Sequence, residues 1–376
     1  MGLRVALVGA GQVASVHLEA LRETEAVELV GIYDQDLARA KERAEASGIP
    51  RAYASWDELL RDDASQCVGV LLPHDLHERF AVEALSAGKH VVCEKPLGQT
   101  VAECDRMLAA AVRAGRRLFP VHNRVYGHAV ERMGEIVRGG QIGQVILAQT
   151  TGFEGPRTVG VRPWLATRRG GGGVLMAQAV HPAYALRWML GDVARVSCQF
   201  GDLKVVDMAG EDSAIATLKF ASGAVAEMTA TFGIAHGPFD HSITLHGRDG
   251  YLHLGTSAPL LANRAPHLAR SVGARSVGAR SVGAEGVGAG RLQQRFALVA
   301  ISPQLFGDRE PHEVDLPMTD LSATAFRRMW EDYAGGILAG TPTRVVAEDG
   351  KRAVEIIEAA YRSNASGRAI DLPLEG

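Results

Sequence analysis

Leu3-Arg4-Val5-Ala6-Leu7-Val8-Gly9-Ala10-Gly11-Gln12-Val13-Ala14 is the stretch that decides the fold. Its apolar run suits a buried strand and ends in Gly-x-Gly-x-x-Ala. A helical spacing follows at once in Val16, Leu18, Ala20 and Leu21. Gly9 permits the tight turn, Gly11 lets backbone approach a pyrophosphate, and Ala14 is small enough for helix and strand to pack closely. The free N–H groups at the start of the helix then face the phosphates. A second apolar strand, Val27 to Tyr33, leads into Asp34, about 20 residues beyond the loop, where a carboxylate would hydrogen-bond a ribose diol. The plain alternative is a glycine turn between two core elements. Strand, helix and acidic residue in register favour a dinucleotide site.

The chain has 376 residues, too many for one ordinary core, so two domains are expected, 1–122 and 123–376. Hydrophobic residues at 47% and charged residues at 22% suit a globular protein. A net charge of −3 gives no electrostatic reason to expect a nucleic-acid or membrane partner. Cys67, Cys93, Cys104 and Cys198 are scattered with no CxxC pair, so no metal site or disulfide framework is expected. A reducing, cytoplasmic setting fits. With the first strand starting at Leu3 and no long apolar stretch, neither a cleavable leader nor a bilayer-spanning segment is expected.

Strand and helix alternate as far as about His122. Val68–Leu72 reads as a strand buried on both faces. Leu76–Ala87 reads as a helix stopped by Gly88, and His90–Cys93 as the next strand. Thr100 caps a helix Val101–Ala114, with Glu103 in the capping-box position and Gly115 at its end. Arg117–Val121 is a further strand. Repeated βα units mean an α/β fold with a doubly wound parallel sheet of the Rossmann type. Beyond His122 the texture changes. A helix Ala129–Arg138 precedes strands at Val145–Thr151, Ala194–Phe200, Ser213–Phe220, Ala224–Thr231 and His241–His246. Their near period-2 alternation predicts an α+β domain with a large, mostly antiparallel, open-faced sheet. An apolar helix, Ala177–Leu190, interrupts them. A helix near Glu348–Ser363 and an extended tail, Arg368–Pro373, close the pattern.

The segment Ala87-Gly88-Lys89-His90-Val91-Val92-Cys93-Glu94-Lys95-Pro96-Leu97 resembles the signature of the Gfo/Idh/MocA oxidoreductases, which include inositol and sugar dehydrogenases. Leu72-Pro73-His74-Asp75-Leu76-His77, Asn123-Arg124, Gly170–Gly191 and the stretch from Glu348-Asp349-Gly350 to Ser366-Gly367-Arg368 extend the resemblance along nearly the whole chain. It implies NAD as cofactor, a carbohydrate or polyol as substrate, and a homodimer or homotetramer built on the second sheet. Read from the residues, Lys95 at the end of a parallel strand lies where open α/β sheets bind ligands, and its ammonium can stabilise an alkoxide. Alone it would read as a surface lysine. The resemblance further implies a cis Lys95–Pro96 bond.

For the cofactor, the fingerprint and the resemblance together point to Gly9, Ala10, Gly11, Gln12, Val13, Ala14, Asp34, Leu72, Pro73, His74, His77, Glu94, Lys95, Pro96 and Asn123. For the substrate they point to Lys95, Asn123, Arg124, Trp164, Arg168, Gln178 and His181, and for catalysis to Lys95, His181 and Tyr184. Relatives carry an acidic or amide residue one helical turn before the histidine; here that position is Ala177. A four-glycine loop, Gly170–Gly173, suited to ligand approach, precedes this helix, whereas a lone histidine on an apolar helix is otherwise a core residue. Leu72 and His74 replace the threonine and asparagine usual around Pro73. Arg162, Arg168 and Arg169 suit either an anionic substrate group or a solvated loop. Gln35 and Asp36 supply no cation for a 2′-phosphate, so NAD is favoured over NADP. Two other classes stay open: an NAD-dependent, redox-neutral glycosidase, and a non-catalytic dinucleotide-sensing regulator, which Ala177 keeps in view.

Residues 269–288 stand apart. Ala-Arg-Ser-Val-Gly occurs three times in tandem and then degenerates to Ala-Glu-Gly-Val-Gly. A period of five matches neither helix nor strand, and glycine at every fifth place opposes both. Three arginines without aromatic neighbours are a poor RNA-binding signal. The expectation is a mobile surface insertion, so deleting residues 269–283 should leave the melting temperature nearly unchanged. A large fall in that temperature, or a change of oligomeric state, contradicts it.

Overall fold

Val5 and Leu7 point to one face of the first strand, and Ala6 and Val8 to the other; all four are fully buried. A strand so placed needs cover on both sides, which is why its sequence reads as a continuous apolar run. The computed structural model of the protein describes residues 2–160, 162–167, 169–234, 240–256, 296–314, 316 and 321–374. The pentapeptide repeat and Arg168 lie outside these residues.

The first half runs β1 (Leu3–Val8), α1 (Gln12–Leu21), β2 (Val27–Tyr33), α2 (Leu37–Ser47), α3 (Trp56–Arg61), β3 (Cys67–Val70), α4 (His77–Ser86), β4 (His90–Cys93), α5 (Val101–Ala114) and β5 (Leu118–Pro120). The strands form a parallel sheet in the order β2-β1-β3-β4-β5. Its order reverses between β1 and β3, the place where such sheets bind ligands at their carboxyl ends. Local chemistry sets the boundaries. Thr100 accepts from the Glu103 N–H at 3.1 Å, while the Glu103 carboxylate reaches the N–H of Gln99, one residue before the expected partner. Gly115 ends α5 with φ +60°. Leu76 belongs to a 3₁₀ turn, His74–Leu76, that leads into α4.

The second half starts with α6 (His128–Arg138) and β6 (Val145–Phe153), followed by a four-residue helix, α7 (Arg157–Gly160). A π turn over Leu175–Ala179 leads into α8 (Val180–Leu190). Then come β7 (Val193–Phe200), β8 (Ser213–Phe220), β9 (Val225–Thr231), β10 (Ile243–Gly247), β11 (Tyr251–Thr256) and β12 (Phe296–Ile301). After α9 (Pro303–Phe306) and β13 (His312–Glu313), the long helices α10 (Leu321–Leu338) and α11 (Ala347–Ser366) precede β14 (Ile370–Asp371). Among the described residues these strands form one sheet, in the order β13-β12-β11-β10-β6-β9-β8-β7-β14. It is antiparallel except for the β6–β9 pair. Burial alternates strictly along β8, so one face packs against helices while the other exposes Ile146, Ile215 and Val225.

The sequence reading did not foresee α10, although Phe326, Met329, Trp330, Tyr333 and Ile337 carry a helical stripe. This helix crosses back to the first sheet and packs on α1 and β1. Trp330, fully buried, lies over Gly69 of β3 and donates its indole N–H to His17 Nδ1 at 3.0 Å. The sheet face bearing Val5 and Leu7 is thus completed by a helix some 300 residues away in sequence. Trp330→Ala should cost about 3–5 kcal/mol of stability in urea unfolding, and Trp330→Phe less. A loss below about 1 kcal/mol would show that α10 does not seal this face.

Candidate active site

Val8 delivers the chain to Gly9, whose φ of +102° and close approach to the Leu71 carbonyl exclude a side chain. A Cβ there would stand 2.2 Å from that oxygen. Gly11, at the start of α1, faces open space, and no side chain caps the helix. Ala14 is fully buried at the helix–strand contact, and Val13 packs against the same core. Asp34 Oδ2 accepts from the Ala10 N–H at 2.8 Å and Oδ1 from the Asp36 N–H at 2.9 Å. The carboxylate therefore joins the glycine loop to the exit of β2. An open loop, an uncapped helix N-terminus and an acidic residue at the end of β2 fit a dinucleotide. The structure adds a cation that the adjacent residues Gln35 and Asp36 did not reveal: half-exposed Arg39 stands 3.7 Å from Asp34. Gln12 is met from the other half of the molecule, at 3.5 Å, by the Arg162 guanidinium.

At the exit of β3, Leu72 and Pro73 lead to His74, which is buried edge-on against Trp164 with ring centroids 4.8 Å apart. His74 Nδ1 has no hydrogen-bond partner among the described residues, leaving a buried polar atom at the exit of β3. Burial, with the nearby Lys95 and Arg162 charges, pushes the His74 pKa well down, so the ring is neutral. His77 serves as a tie. Its ring nitrogens lie 2.7 Å from the Pro96 carbonyl and 2.8 Å from the Leu72 carbonyl, joining the ends of β3 and β4.

β4 ends in Glu94-Lys95-Pro96, with a cis Lys95–Pro96 bond as the resemblance implied. Glu94 is buried; one carboxylate oxygen lies 2.8 Å from His17 Nε2 and the other accepts the Lys95 N–H at 3.1 Å. The Trp330 indole can only donate, so His17 Nδ1 accepts and Nε2 carries the proton toward Glu94. Burial opposes ionisation of Glu94, but His17 and Lys95 outweigh it and hold its pKa below the usual range. Lys95 Nζ donates to the Ala177 carbonyl at 2.6 Å. Burial lowers its pKa to about 8, against the raising effect of Glu94.

Opposite Lys95 lies the helical segment that the sequence read as uniform helix from Ala177. Its first turn is π: the Val180 N–H reaches Leu175 O, five residues back. Such turns recur at functional sites. The preceding glycines serve packing: a Cβ on Gly173 would stand 2.0 Å from the Glu211 carboxylate, and Glu211 Oε1 accepts the Leu175 N–H at 2.9 Å. His181 Nδ1 is 3.0 Å from the Tyr184 hydroxyl. That hydroxyl also accepts the Arg124 N–H at 3.1 Å, lies 3.3 Å from Asn123 Oδ1, and belongs to a ring stacked on His122. Burial, then the charges of Lys95 and Arg124, push the His181 pKa well below its ordinary value.

Short contacts thus link Asn123, Arg124, Tyr184 and His181; Lys95 joins them through the Ala177 carbonyl, Arg124 and Gln178 both approach His241, and Trp164 packs on His74. Arg169 instead pairs with Asp75 at 3.3 Å, and Arg162 faces the glycine loop. Sequence reasoning missed His17 and Trp330, which brace Glu94, and Glu154 and His241, which approach Gln178 from the second sheet. A histidine on the core face of α1, one turn past the fingerprint, was the available signal for the first pair.

Comparison with known proteins identifies the family and the fold. Residues 3–122 match the model of an oxidoreductase family with an NAD-binding Rossmann fold, and residues 130–253 match the Gfo/Idh/MocA C-terminal domain. Myo-inositol 2-dehydrogenase of Thermotoga maritima is 28% identical over 253 residues, covering 66% of this chain and 74% of that protein. D-glucoside 3-dehydrogenase of Escherichia coli is 29% identical over 252 residues, covering 62% and 71%. Levoglucosan dehydrogenase, solved with NADH and levoglucosan, superposes with a TM-score of 0.82 over the whole of both chains at 18% identity, a likeness of fold. No helix among the described residues is long and apolar enough to cross a membrane. With both of its family models matched over well more than half its length, the chain belongs to the Gfo/Idh/MocA oxidoreductases and carries their NAD-binding Rossmann domain.

Proposed function

We propose that the protein is an NAD-dependent dehydrogenase that interconverts a secondary alcohol and a ketone on a sugar, an inositol or a related polyol. The observation that carries this reading is the Lys95 ammonium at the end of β4, bonded to the Ala177 carbonyl four residues before His181, whose ring lies 3.0 Å from the Tyr184 hydroxyl. Bound NAD supplies the hydride acceptor at nicotinamide C4. Lys95 donates to the reacting oxygen, and its charge stabilises developing alkoxide. His181, neutral because of its buried, cation-rich surroundings, takes the hydroxyl proton. Tyr184 fixes the imidazole, and the Arg124 N–H fixes Tyr184. The inositol and glucoside dehydrogenases among the relatives support a polyol substrate. We divide the chain at residues 122 and 123 and assign the exposed apolar face of the second sheet to homo-oligomerisation. Four buried free cysteines suit a reducing, cytoplasmic compartment. Incubation with NAD and a panel of sugars, inositols, polyols and aryl glycosides tests the reading. Net NADH supports it, released aglycone without NADH indicates a glycosidase, and binding without turnover a sensor.

Asp34 should make NAD bind more tightly than NADP in titration calorimetry, with Arg39 keeping the preference modest. Tighter binding of NADP would remove Asp34 from the ribose site. Lys95→Ala and His181→Ala should each reduce turnover about 10²–10⁴-fold while leaving NAD affinity nearly intact. Turnover unaffected by His181→Ala would take this residue out of the mechanism. Lys95 is an ammonium below its pKa and a neutral amine above it, so kcat/KM for alcohol oxidation should fall as pH rises through about 8. The depressed His181 should leave no acid limb near the usual histidine value of about 6.5. A profile still rising well above pH of about 8 would contradict the role of Lys95.

A further inference from the structure

The helix that carries His181 begins without a capping side chain of its own. The π turn Leu175–Ala179 and α8 form one continuous run, whose first N–H groups need acceptors from elsewhere. Glu211, 36 positions beyond Leu175, supplies two of them. Its backbone carbonyl accepts the Val174 N–H at 2.8 Å, and its carboxylate Oε1 accepts the Leu175 N–H at 2.9 Å. The same oxygen accepts from the Tyr361 hydroxyl of α11 at 3.1 Å. Glu211 is buried, and glycines make its approach possible. A Cβ on Gly173 would stand 2.0 Å from the carboxylate, and a Cβ on Gly210 would stand 1.6 Å from the Gly172 carbonyl oxygen.

The loop bearing Glu211 is itself held. Lys204 Nζ donates to the Met208 and Gly210 carbonyls at 2.9 and 3.0 Å. Asp212 Oδ2 accepts the Val205 and Val206 N–H groups at 2.6 and 2.9 Å. The Asp212 carbonyl takes the Phe232 N–H just past β9, which ties the loop to the sheet. On its other side, the turn capped by Glu211 presents the Ala177 carbonyl to Lys95 Nζ at 2.6 Å, two residues beyond Leu175. Pro182 stands five residues after Ala177 and four after Gln178 and has no N–H, so the helix lacks one donor to the carbonyls of this turn. The Lys95 ammonium gives Ala177 a donor from the other half of the molecule. That carbonyl is therefore placed by a turn whose first bonds run to Glu211.

We propose that Glu211 is a positioning residue of this active site: by capping the π turn from outside the helix, it sets the Ala177 carbonyl against Lys95 and, one turn further on, the His181 ring. It acts through the main chain of the turn. The role requires its accepting oxygen, not its negative charge. The effect on turnover rests on the dehydrogenase reading, whereas the effect on Lys95 does not.

The test uses the full-length protein loaded with NAD. The Lys95 titration is followed by NMR of isotope-labelled lysine, with Lys95→Arg assigning the resonance. A hydrogen bond to the ammonium favours that form, so loosening the Ala177 carbonyl lowers the Lys95 pKa. Glu211→Ala removes the acceptor, and Gly173→Ala displaces the carboxylate while keeping its charge. Each should lower the Lys95 pKa by about half a unit or more. Glu211→Gln keeps an accepting oxygen without the charge and should leave the titration near that of the parent protein. For the polyol that turns over best in the panel, the two alanine variants should reduce kcat about tenfold or more, with NAD affinity unchanged. Glu211→Gln should recover most of that loss. A lower melting temperature in Glu211→Ala, with the Lys95 titration and kcat intact, makes Glu211 merely structural and overturns the proposal. A Glu211→Gln protein as impaired as Glu211→Ala also overturns it, since the charge and not the cap would then be at work. If Glu211→Ala does not fold, Gly173→Ala decides on the same readouts. If neither folds, Tyr361→Phe must still lower the Lys95 pKa, and an unshifted titration there overturns the proposal. A panel with no turnover defeats the dehydrogenase reading, while the Lys95 titration still decides the role of Glu211.

Discussion

One hydrogen bond, from the Lys95 ammonium at the end of β4 to the Ala177 carbonyl in the π turn before α8, joins the two halves of the molecule at the candidate site. A cation so placed, short of water, needs partners that stay fixed. Behind it, the buried chain Trp330–His17–Glu94 ends on the Lys95 backbone. In front of it, a π turn in place of a regular helix accompanies the carbonyl contact. The helix supplying Trp330 also closes the Rossmann sheet, so stability and site geometry share the same residues.

This dependence explains what the sequence disclosed. Strands and caps whose physics is local were legible: β8 and α5 lie where alternation, Thr100 and Gly115 put them. The glycine fingerprint and Asp34 were legible because a phosphate-binding turn imposes its own spacing. Contacts made across the chain were not. His17 meets Glu94 across 77 positions and Trp330 across 313, and no local spacing signals such a meeting. The four glycines looked like a ligand loop; Gly173 at least is required by the Glu211 carboxylate packed against it. The segments β11 and β12 were passed over, short apolar runs on either side of the pentapeptide repeat.

Burial also sorts the titratable groups into opposed states. Glu94 is kept ionised by His17 and Lys95, while His74 and His181 are kept neutral by burial and by the neighbouring cations. Environments that separate a charged lysine from a neutral histidine fit the two roles that the proposed alcohol oxidation would require, an electrostatic stabiliser and a proton acceptor.

The most direct test of the account is a crystal structure of the protein with NAD and a polyol substrate. The account predicts the pyrophosphate on the Gly9–Ala14 loop, the nicotinamide near His74, and one substrate hydroxyl within about 3 Å of both Lys95 Nζ and the His181 ring. A polyol bound in the cleft with its hydroxyl groups away from Lys95, or a nicotinamide outside the space between His74 and Lys95, would contradict it.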